Sequence, residues 1–411
     1  MGPPVIDVRS ADDPRDVVHQ AVQALAEGKV VAFPTETVYG IGASAMNAAA
    51  VERIYSLKGR SEDQPLALAI KSVEEAWDYV PQMPPLAQRL ARRCWPGPIT
   101  LVLDDVHPDS LLRQLPSQVQ QSVAPRGTVG LRVPANHLLL SVLRLTAGPI
   151  ALTSANRNGE PEARTAQEVV SYFGQDVDLI LDDGRSQFGQ PSSVVRVEGH
   201  QLTLLRPGVI NEKSLQKLAS MIILLVCTGN TCRSPMAEKL MQRRVAEQLG
   251  CSIRELEERG VMILSAGISA MAGGRASPEA VQVLAQQGLD LALHESQPLA
   301  DRLVRFADLI LTMTRGHREA ILAQWPDAEP RTKLLSRDGR DISDPIGGPF
   351  ELYQACAQQI DNQVSRWAPE LDYRSLPPRN GEQAASKPPY ESSARPNPPP
   401  PGNAGGNGSD H

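Results

Sequence analysis

Residues 221–240 read Met-Ile-Ile-Leu-Leu-Val-Cys-Thr-Gly-Asn-Thr-Cys-Arg-Ser-Pro-Met-Ala-Glu-Lys-Leu. The unbroken apolar run from Met221 to Val226 predicts a parallel strand buried on both faces. A helical pattern follows, with Ser234 placed to cap the helix and Pro235 suited to its first position. Between them lies Cys227-x5-Arg233, in which Gly229 and Asn230 are free to take unusual backbone angles. A loop that leaves a strand's carboxyl end and enters a helix N-terminus aims several N–H groups at one point, which suits a tetrahedral anion. The helix dipole, the loop N–H groups and Arg233 all turn positive charge toward the sulfur of Cys227, the setting of a nucleophilic thiolate. Arg233 can grip two phosphoryl oxygens with its planar fork. The leaving group needs a proton, and Asp344, in Asp-Ile-Ser-Asp-Pro-Ile-Gly-Gly, is the candidate general acid.

With C-x5-R-S on a strand–loop–helix and an Asp-Pro further along, residues 221–368 resemble the low-molecular-weight protein tyrosine phosphatase family. The resemblance implies Cys227 as nucleophile, Arg233 as phosphate clamp, Asp344 as general acid and Ser234 as thiolate stabiliser, with no cofactor. Thr228, Gly229 and Asn230 would line the phosphate loop, and Cys232 would protect Cys227 by a reversible disulfide. Tyrosine phosphatase members carry a bulky aliphatic residue where this chain has Thr231. The protein arginine phosphatase branch is similar to this sequence there, which implies a smaller, more polar pocket suited to phosphoarginine. Ile346 and Pro349 depart from that branch, so a phosphotyrosine phosphatase is the alternative. Arsenate reductases share the fold but need further cysteines in a later loop. Only Cys251 and Cys356 remain here, and Cys356 falls in the predicted last helix, 350–367, whose expected apolar face is Leu352, Ala355, Cys356 and Ile360.

The preceding half, residues 1–215, carries several separated motifs. An amphipathic helix over 14–28 ends at Gly28, and the strand Lys29–Phe33 runs into Pro-Thr-Glu-Thr-Val-Tyr-Gly. Small and hydroxyl residues directly after a strand suggest a backbone that approaches a ligand. A helix over 48–57 delivers Lys58-Gly59-Arg60, two cations suited to a polyphosphate, although a solvated helix end is the more usual place for such a pair. Cys94-Trp95-Pro96-Gly97-Pro98 leads to a strand. A strand over 128–134 embeds Arg132, and another runs into Thr153-Ser154-Ala155-Asn156. Pro191-Ser192-Ser193 and Leu205-Arg206-Pro207-Gly208 follow. Together these segments resemble the YrdC-like family, the threonylcarbamoyl-AMP synthases, over residues 5–212. The resemblance implies a twisted mixed sheet with helices and a reaction that joins L-threonine, bicarbonate and ATP with release of pyrophosphate. Its product would feed threonylcarbamoyladenosine modification of tRNA through downstream transfer machinery. Thr37, Arg132 and Ser192 would hold threonine. Lys58, Arg60, Gln64, Thr128, Ser154, Asn156 and Arg206 would lie around ATP, with Mg2+ on its phosphates. Gln64, Ala69 and Glu162 depart from common choices in that family. A binding module for nucleotides or RNA without synthesis is the alternative.

The fold class expected for the whole is therefore α/β: a mixed-sheet domain over 1–215, a junction at 209–220, and a doubly wound parallel-sheet domain over 221–368. Alternating strands and helices specify the second, and such sheets bind ligands beyond the strands' carboxyl ends, where Cys227 falls. Residues 371–411 are rich in Pro and Gly and poor in apolar residues, a composition that predicts a disordered tail. A net charge of −6 gives no global basic field for nucleic acid. The five cysteines show no framework or metal-ligand spacing, which fits a reducing cytoplasm. No signal peptide and no run of membrane-spanning length is expected.

Overall fold

The computed structural model describes residues 4–59, 61 and 64–376. Arg60, and the expected tail beyond residue 376, lie outside the described residues. The first lobe is built on strands β1 (Val5–Asp7), β2 (Val31–Phe33), β3 (Gly40–Ser44), β4 (Ala67–Ala69), β5 (Ile99–Asp104), β6 (Thr128–Arg132), β7 (Ile150–Ser154), β8 (Leu179–Asp182), β9 (Ser193–Glu198) and β10 (Gln201–Arg206). They form one 10-stranded sheet in the order β1-β8-β2-β3-β7-β4-β6-β5-β9-β10. Its pairings are mixed: β4 is parallel to β6 and antiparallel to β7, and β5 is antiparallel to β6 and parallel to β9.

Its helices are α1 (Pro14–Ala26), α2 (Ala48–Lys58), α3 (Ala76–Tyr79), α4 (Pro85–Cys94), α5 (Ser117–Val123), α6 (His137–Leu145), α7 (Ala166–Phe173) and α8 (Glu212–Ala219). α4 shows how composition divides a helix. Leu86, Ala87, Leu90 and Ala91 pack into the first core, while Arg89 and Arg93, four apart, are also buried but face the second lobe.

The second lobe is a 4-stranded sheet, β11 (Met221–Cys227), β12 (Val261–Gly267), β13 (Leu309–Thr312) and β14 (Thr332–Leu334), in the order β12-β11-β13-β14. All its pairings are parallel. Helices α9 (Arg233–Leu249), α10 (Pro278–Ala285), α11 (Asp301–Phe306), α12 (Arg315–Gln324) and α13 (Phe350–Trp367) accompany it. The period of two in β11 makes the sheet doubly wound. Ile223, Leu225 and Cys227 join one core with Met236, Leu240, Tyr353 and Ile360, and Ile222, Leu224 and Val226 join the opposite one with Val304 and Ile321.

Four local expectations need correction. The junction is not a plain linker: α8 occupies most of it, capped by the Asn211 side chain and seated on the first core through Leu215 and Ala219. Ser234 does not cap α9. The helix starts at Arg233 after Cys232, with no side-chain cap, and Ser234 turns back toward Cys227. On α13, Leu352 and Ala355 are exposed, and the buried stripe is Tyr353, Cys356, Ala357, Ile360 and Val364, a better 3-4 alternation. The chain also stays folded to Leu376: Tyr373–Ser375 form a 3-10 turn whose Ser375 is buried against Arg89.

Candidate functional site

At the carboxyl end of β11, Cys227 pairs with Gly267 of β12. A Cβ on Gly267 would lie 2.4 Å from the Thr228 carbonyl oxygen and 2.9 Å from the Asn230 nitrogen, so glycine lets the loop pass over the strand end. Asn230 takes the left-handed conformation, φ 55°, and is fully buried. Its side chain accounts for that choice. Nδ2 donates to Ser234 Oγ (3.0 Å) and Ser265 Oγ (2.9 Å), and Oδ1 accepts from Gln297 N (2.9 Å). Its carbonyl oxygen meets His294 Nε2 at 2.8 Å. Ser265 passes its own proton to Glu238 Oε2 at 2.6 Å.

Two groups reach the sulfur of Cys227: Asn230 N at 3.3 Å and Ser234 Oγ at 2.9 Å. Ser234 accepts from Asn230, and its one hydroxyl proton has two acceptors in reach, the sulfur at 2.9 Å and the more distant Ala266 carbonyl at 3.4 Å. Arg233 is buried beside the loop, with Nη2 donating to Asp344 Oδ2 at 2.5 Å. The half-exposed Asp344 also accepts Ile346 N at 3.3 Å. Thr228 Oγ1 lies 2.9 Å from His317 Nε2. Burial, reinforced by the neighbouring Arg233, pushes the His317 imidazole down to about 4, so it is neutral near pH 7. The half-buried Thr231 has its hydroxyl 3.6 Å from Cys232 Sγ, and the Cβ position of Gly229 lies 3.6 Å from that same hydroxyl. Cys232 faces Tyr353 OH at 3.5 Å, and Cys227 and Cys232 are both free thiols. Cys356 is a buried thiol bonded to the Ser343 carbonyl and pushed by burial up to about 12.

In the first lobe the sheet collects its residues by register. Ala69 of β4 pairs with Arg132 of β6, Leu131 pairs with Leu101 of β5, and Thr100 pairs with Val194 of β9. Arg132 Nη2 donates to Thr37 Oγ1 (2.9 Å) and Glu36 Oε1 (2.8 Å), while Glu36 Oε2 accepts Ala135 N (2.9 Å). Arg132 Nε is buried without a hydrogen-bond partner. A second group forms where β7 ends. Lys58 Nζ donates to the carbonyls of Ser154 (2.6 Å) and Asn156 (2.9 Å) and to Asn156 Oδ1 (2.9 Å), and Ser154 Oγ donates to the same Oδ1 (2.7 Å). A third joins Arg206 Nη2 to the Ser192 carbonyl (2.9 Å) and Oγ (3.3 Å), with Ser192 Oγ 3.1 Å from Thr100 Oγ1. Thr128 opens β6 opposite Asp104, and Gln64 offers its carbonyl to Tyr55 OH.

Sequence reasoning missed Glu36, Thr100, Ser265, Glu238, His294 and His317. Only Glu36 carried a signal, an acid inside a buried Thr-x-Thr; the others act through contacts distant in sequence.

Comparison with known proteins adds to this geometry. A family model described as telomere recombination (Sua5, YciO and YrdC) matches residues 23–208. One described as low molecular weight phosphotyrosine protein phosphatase matches residues 222–375. The threonylcarbamoyl-AMP synthase of Pyrococcus abyssi is 39% identical over 196 residues, which are 47% of this chain and 54% of that protein. The Bacillus subtilis protein of the same name is 37% identical over 212 residues, 52% of this chain and 58% of that one. The chain thus spans a little over half the length of these two relatives. The protein-arginine-phosphatase of Geobacillus stearothermophilus is 38% identical over 154 residues, 36% of this chain and 95% of that protein. By its two halves, the chain belongs to the Sua5/YciO/YrdC family and to the low molecular weight phosphotyrosine protein phosphatase family.

Proposed function

We propose that the chain is a bifunctional enzyme of the cytoplasm: a threonylcarbamoyl-AMP synthase joined to a phosphatase of protein phosphoarginine. For the second lobe the reading rests on the convergence of Cys227, Ser234, Arg233 and Asp344 around one loop. The thiolate attacks phosphorus, a cysteinyl phosphate forms, and the leaving nitrogen takes a proton from Asp344. Water then attacks phosphorus, gives its proton to Asp344, and frees the thiolate and inorganic phosphate. Thr231 supports phosphoarginine, because it puts a hydroxyl at the edge of the loop beside Gly229 and is smaller and more polar than a bulky aliphatic residue. Phosphotyrosine is the second reading, favoured by the exposed Ile346 beside Asp344, an apolar wall for a ring. Offered arginine-phosphorylated and tyrosine-phosphorylated forms of one protein, the chain should release phosphate faster from the first. The reverse order would overturn the arginine reading and leave the Cys227 chemistry standing.

In the first lobe the reading rests on Arg132 and Thr37, whose side chains meet at 2.9 Å. Arg132 would exchange Glu36 for the threonine carboxylate, and Ser192 would close that side. Lys58, Arg60, Gln64, Thr128, Ser154, Asn156 and Arg206 would hold ATP. Mg2+ would be carried on the ATP phosphates. The product would pass to tRNA modification. Pyrophosphate release should require both threonine and bicarbonate. Binding of nucleotide without such release would leave only a binding module.

A further inference from the structure

The two lobes meet along α4, and arginine makes most of that contact. Asp308, just before β13, has three guanidinium neighbours: Arg93 Nη2 at 2.7 Å, Arg92 Nη2 at 2.6 Å and Arg89 Nε at 3.1 Å. It also accepts Ile222 N at 2.8 Å. Burial by itself would raise the Asp308 carboxyl, but the three arginines and this N–H hold it below its ordinary range. One carboxylate cannot answer three guanidinium groups, and helix ends supply the rest. Arg93 donates to the carbonyls of Leu218 (2.6 Å) and Ser220 (2.6 Å) at the end of α8 and of Phe306 (2.9 Å) at the end of α11, and Arg89 donates to the carbonyl of Ala219 (2.8 Å). The last carbonyls of a helix lack partners and carry the negative end of its dipole, so cations settle there.

Arg305 reverses the direction of the grip. It is exposed on α11, yet its Nε donates to the Arg92 carbonyl at 2.8 Å and its Nη2 to the Trp95 carbonyl at 2.5 Å. Arg92 Nε answers by donating to the Arg305 carbonyl at 2.9 Å. Trp95 opens the 95–98 loop between α4 and β5. In that loop Gly97 N donates to the Val133 carbonyl (2.8 Å), next to Arg132, and the Pro98 carbonyl accepts Ser193 N (3.0 Å), next to Ser192. The loop is folded tightly enough that a Cβ on Gly97 would fall 2.2 Å from the Cys94 carbonyl oxygen. Thr100, two residues beyond it, is the group that meets Ser192 Oγ. From the other side, Gly208 presses on the Ser192 backbone, where an added Cβ would sit 2.7 Å from the Ser192 carbonyl carbon. The segment it begins continues into α8, whose end Arg93 and Arg89 hold.

We propose that Arg305, contributed by the phosphatase lobe, is a positioning residue of the synthase site: through the Trp95 carbonyl it fixes the loop that sets Arg132, Thr100 and Ser192 against one another. The influence runs in one direction. Asp308 and Arg305 lie at the amino ends of the second sheet, while Cys227 lies at the carboxyl end of β11, about 17 Å along the strand from Ile222. The inference rests on the synthase reading above.

Its test uses the full chain and the variants Arg305→Ala, Arg305→Lys and Arg302→Ala. Arg302→Ala is a control that removes the same charge from the same helix, where Arg302 lies over the Phe306 ring at 5.4 Å. Threonine-dependent pyrophosphate release is measured over a range of threonine, together with hydrolysis of para-nitrophenyl phosphate. Arg305→Ala should raise the KM for threonine roughly three- to tenfold with kcat changed less than about twofold. Arg305→Lys should recover part of the loss, and phosphatase activity should hold in all three. An active wild type whose Arg305→Ala variant keeps its KM would overturn the inference alone. So would a parallel fall of both activities, which marks general destabilisation. A wild type without threonine-dependent release would overturn the synthase reading and the inference with it.

Discussion

Ser234 illustrates how one residue can suit two local roles while the fold uses only one. A Ser followed by Pro at a helix start reads as a cap, but a capping side chain would fill the space where the first N–H groups must stay open for an anion. The structure turns the hydroxyl to the Cys227 sulfur instead and lets Asn230 occupy its acceptor side. Ser234→Ala should therefore lower phosphatase kcat by about 10²-fold, with KM little changed and synthase activity intact. Steady-state kinetics on one phosphorylated protein would check this. His317 makes a pH prediction. Its folded-state value is depressed to about 4 by burial and by Arg233, while Asp344 and Asp341 pull the other way. The unfolded chain then binds the proton first as pH falls, so His317 contributes stability above about 6.5 that is lost progressively down to about pH 4. His317→Gln should flatten the fall in melting temperature between those limits, read by calorimetry at several pH values.

At the scale of elements, β11 was the most legible part of the chain. Six successive apolar residues can be accommodated only by burial on both faces, and the loop chemistry follows from where that strand must end. The Lys58, Ser154 and Asn156 group was legible for the same reason, since each lies at the end of a clear helix or strand. What stayed hidden depends on partners far along the chain. Arg92 and Arg93 are cations in a last helical turn, and nothing near them in the sequence announces Asp308. The choice of stripe on α13 was missed because Leu352, though apolar, is exposed and reaches out over the Asp344 loop, its Cδ1 2.6 Å from where a Cβ on Gly348 would sit. Glycines at strand ends carry a prediction at this scale. Gly267→Ala places a methyl against the Thr228 carbonyl and the Asn230 nitrogen, both backbone atoms. Phosphatase activity should fall by more than about tenfold, and threonine-dependent pyrophosphate release should be unaffected, as assays of both on one preparation would reveal.

For the whole molecule, the ion cluster on α4 links the two lobes through Asp308. Removing its carboxylate leaves buried guanidinium groups uncompensated, a change that costs about 3–5 kcal/mol in comparable pairs. Asp308→Asn should lower the melting temperature and divide a single calorimetric transition into two, the second lobe unfolding first because Asp308 also anchors Ile222 at the start of β11. An unchanged single peak would mean that the apolar contacts of α8 suffice to hold the lobes. The cluster also bears on how the protein is made. Asp308 follows Ala219, the end of α8 and of the first lobe, by 89 positions, which at cellular rates of translation is on the order of four to eighteen seconds. Throughout that delay the finished first lobe leaves the ribosome with its future interface uncovered. Because arginine rather than leucine dominates that face, the nascent chain offers water a hydrated, charged surface and gives neighbouring chains little to stick to.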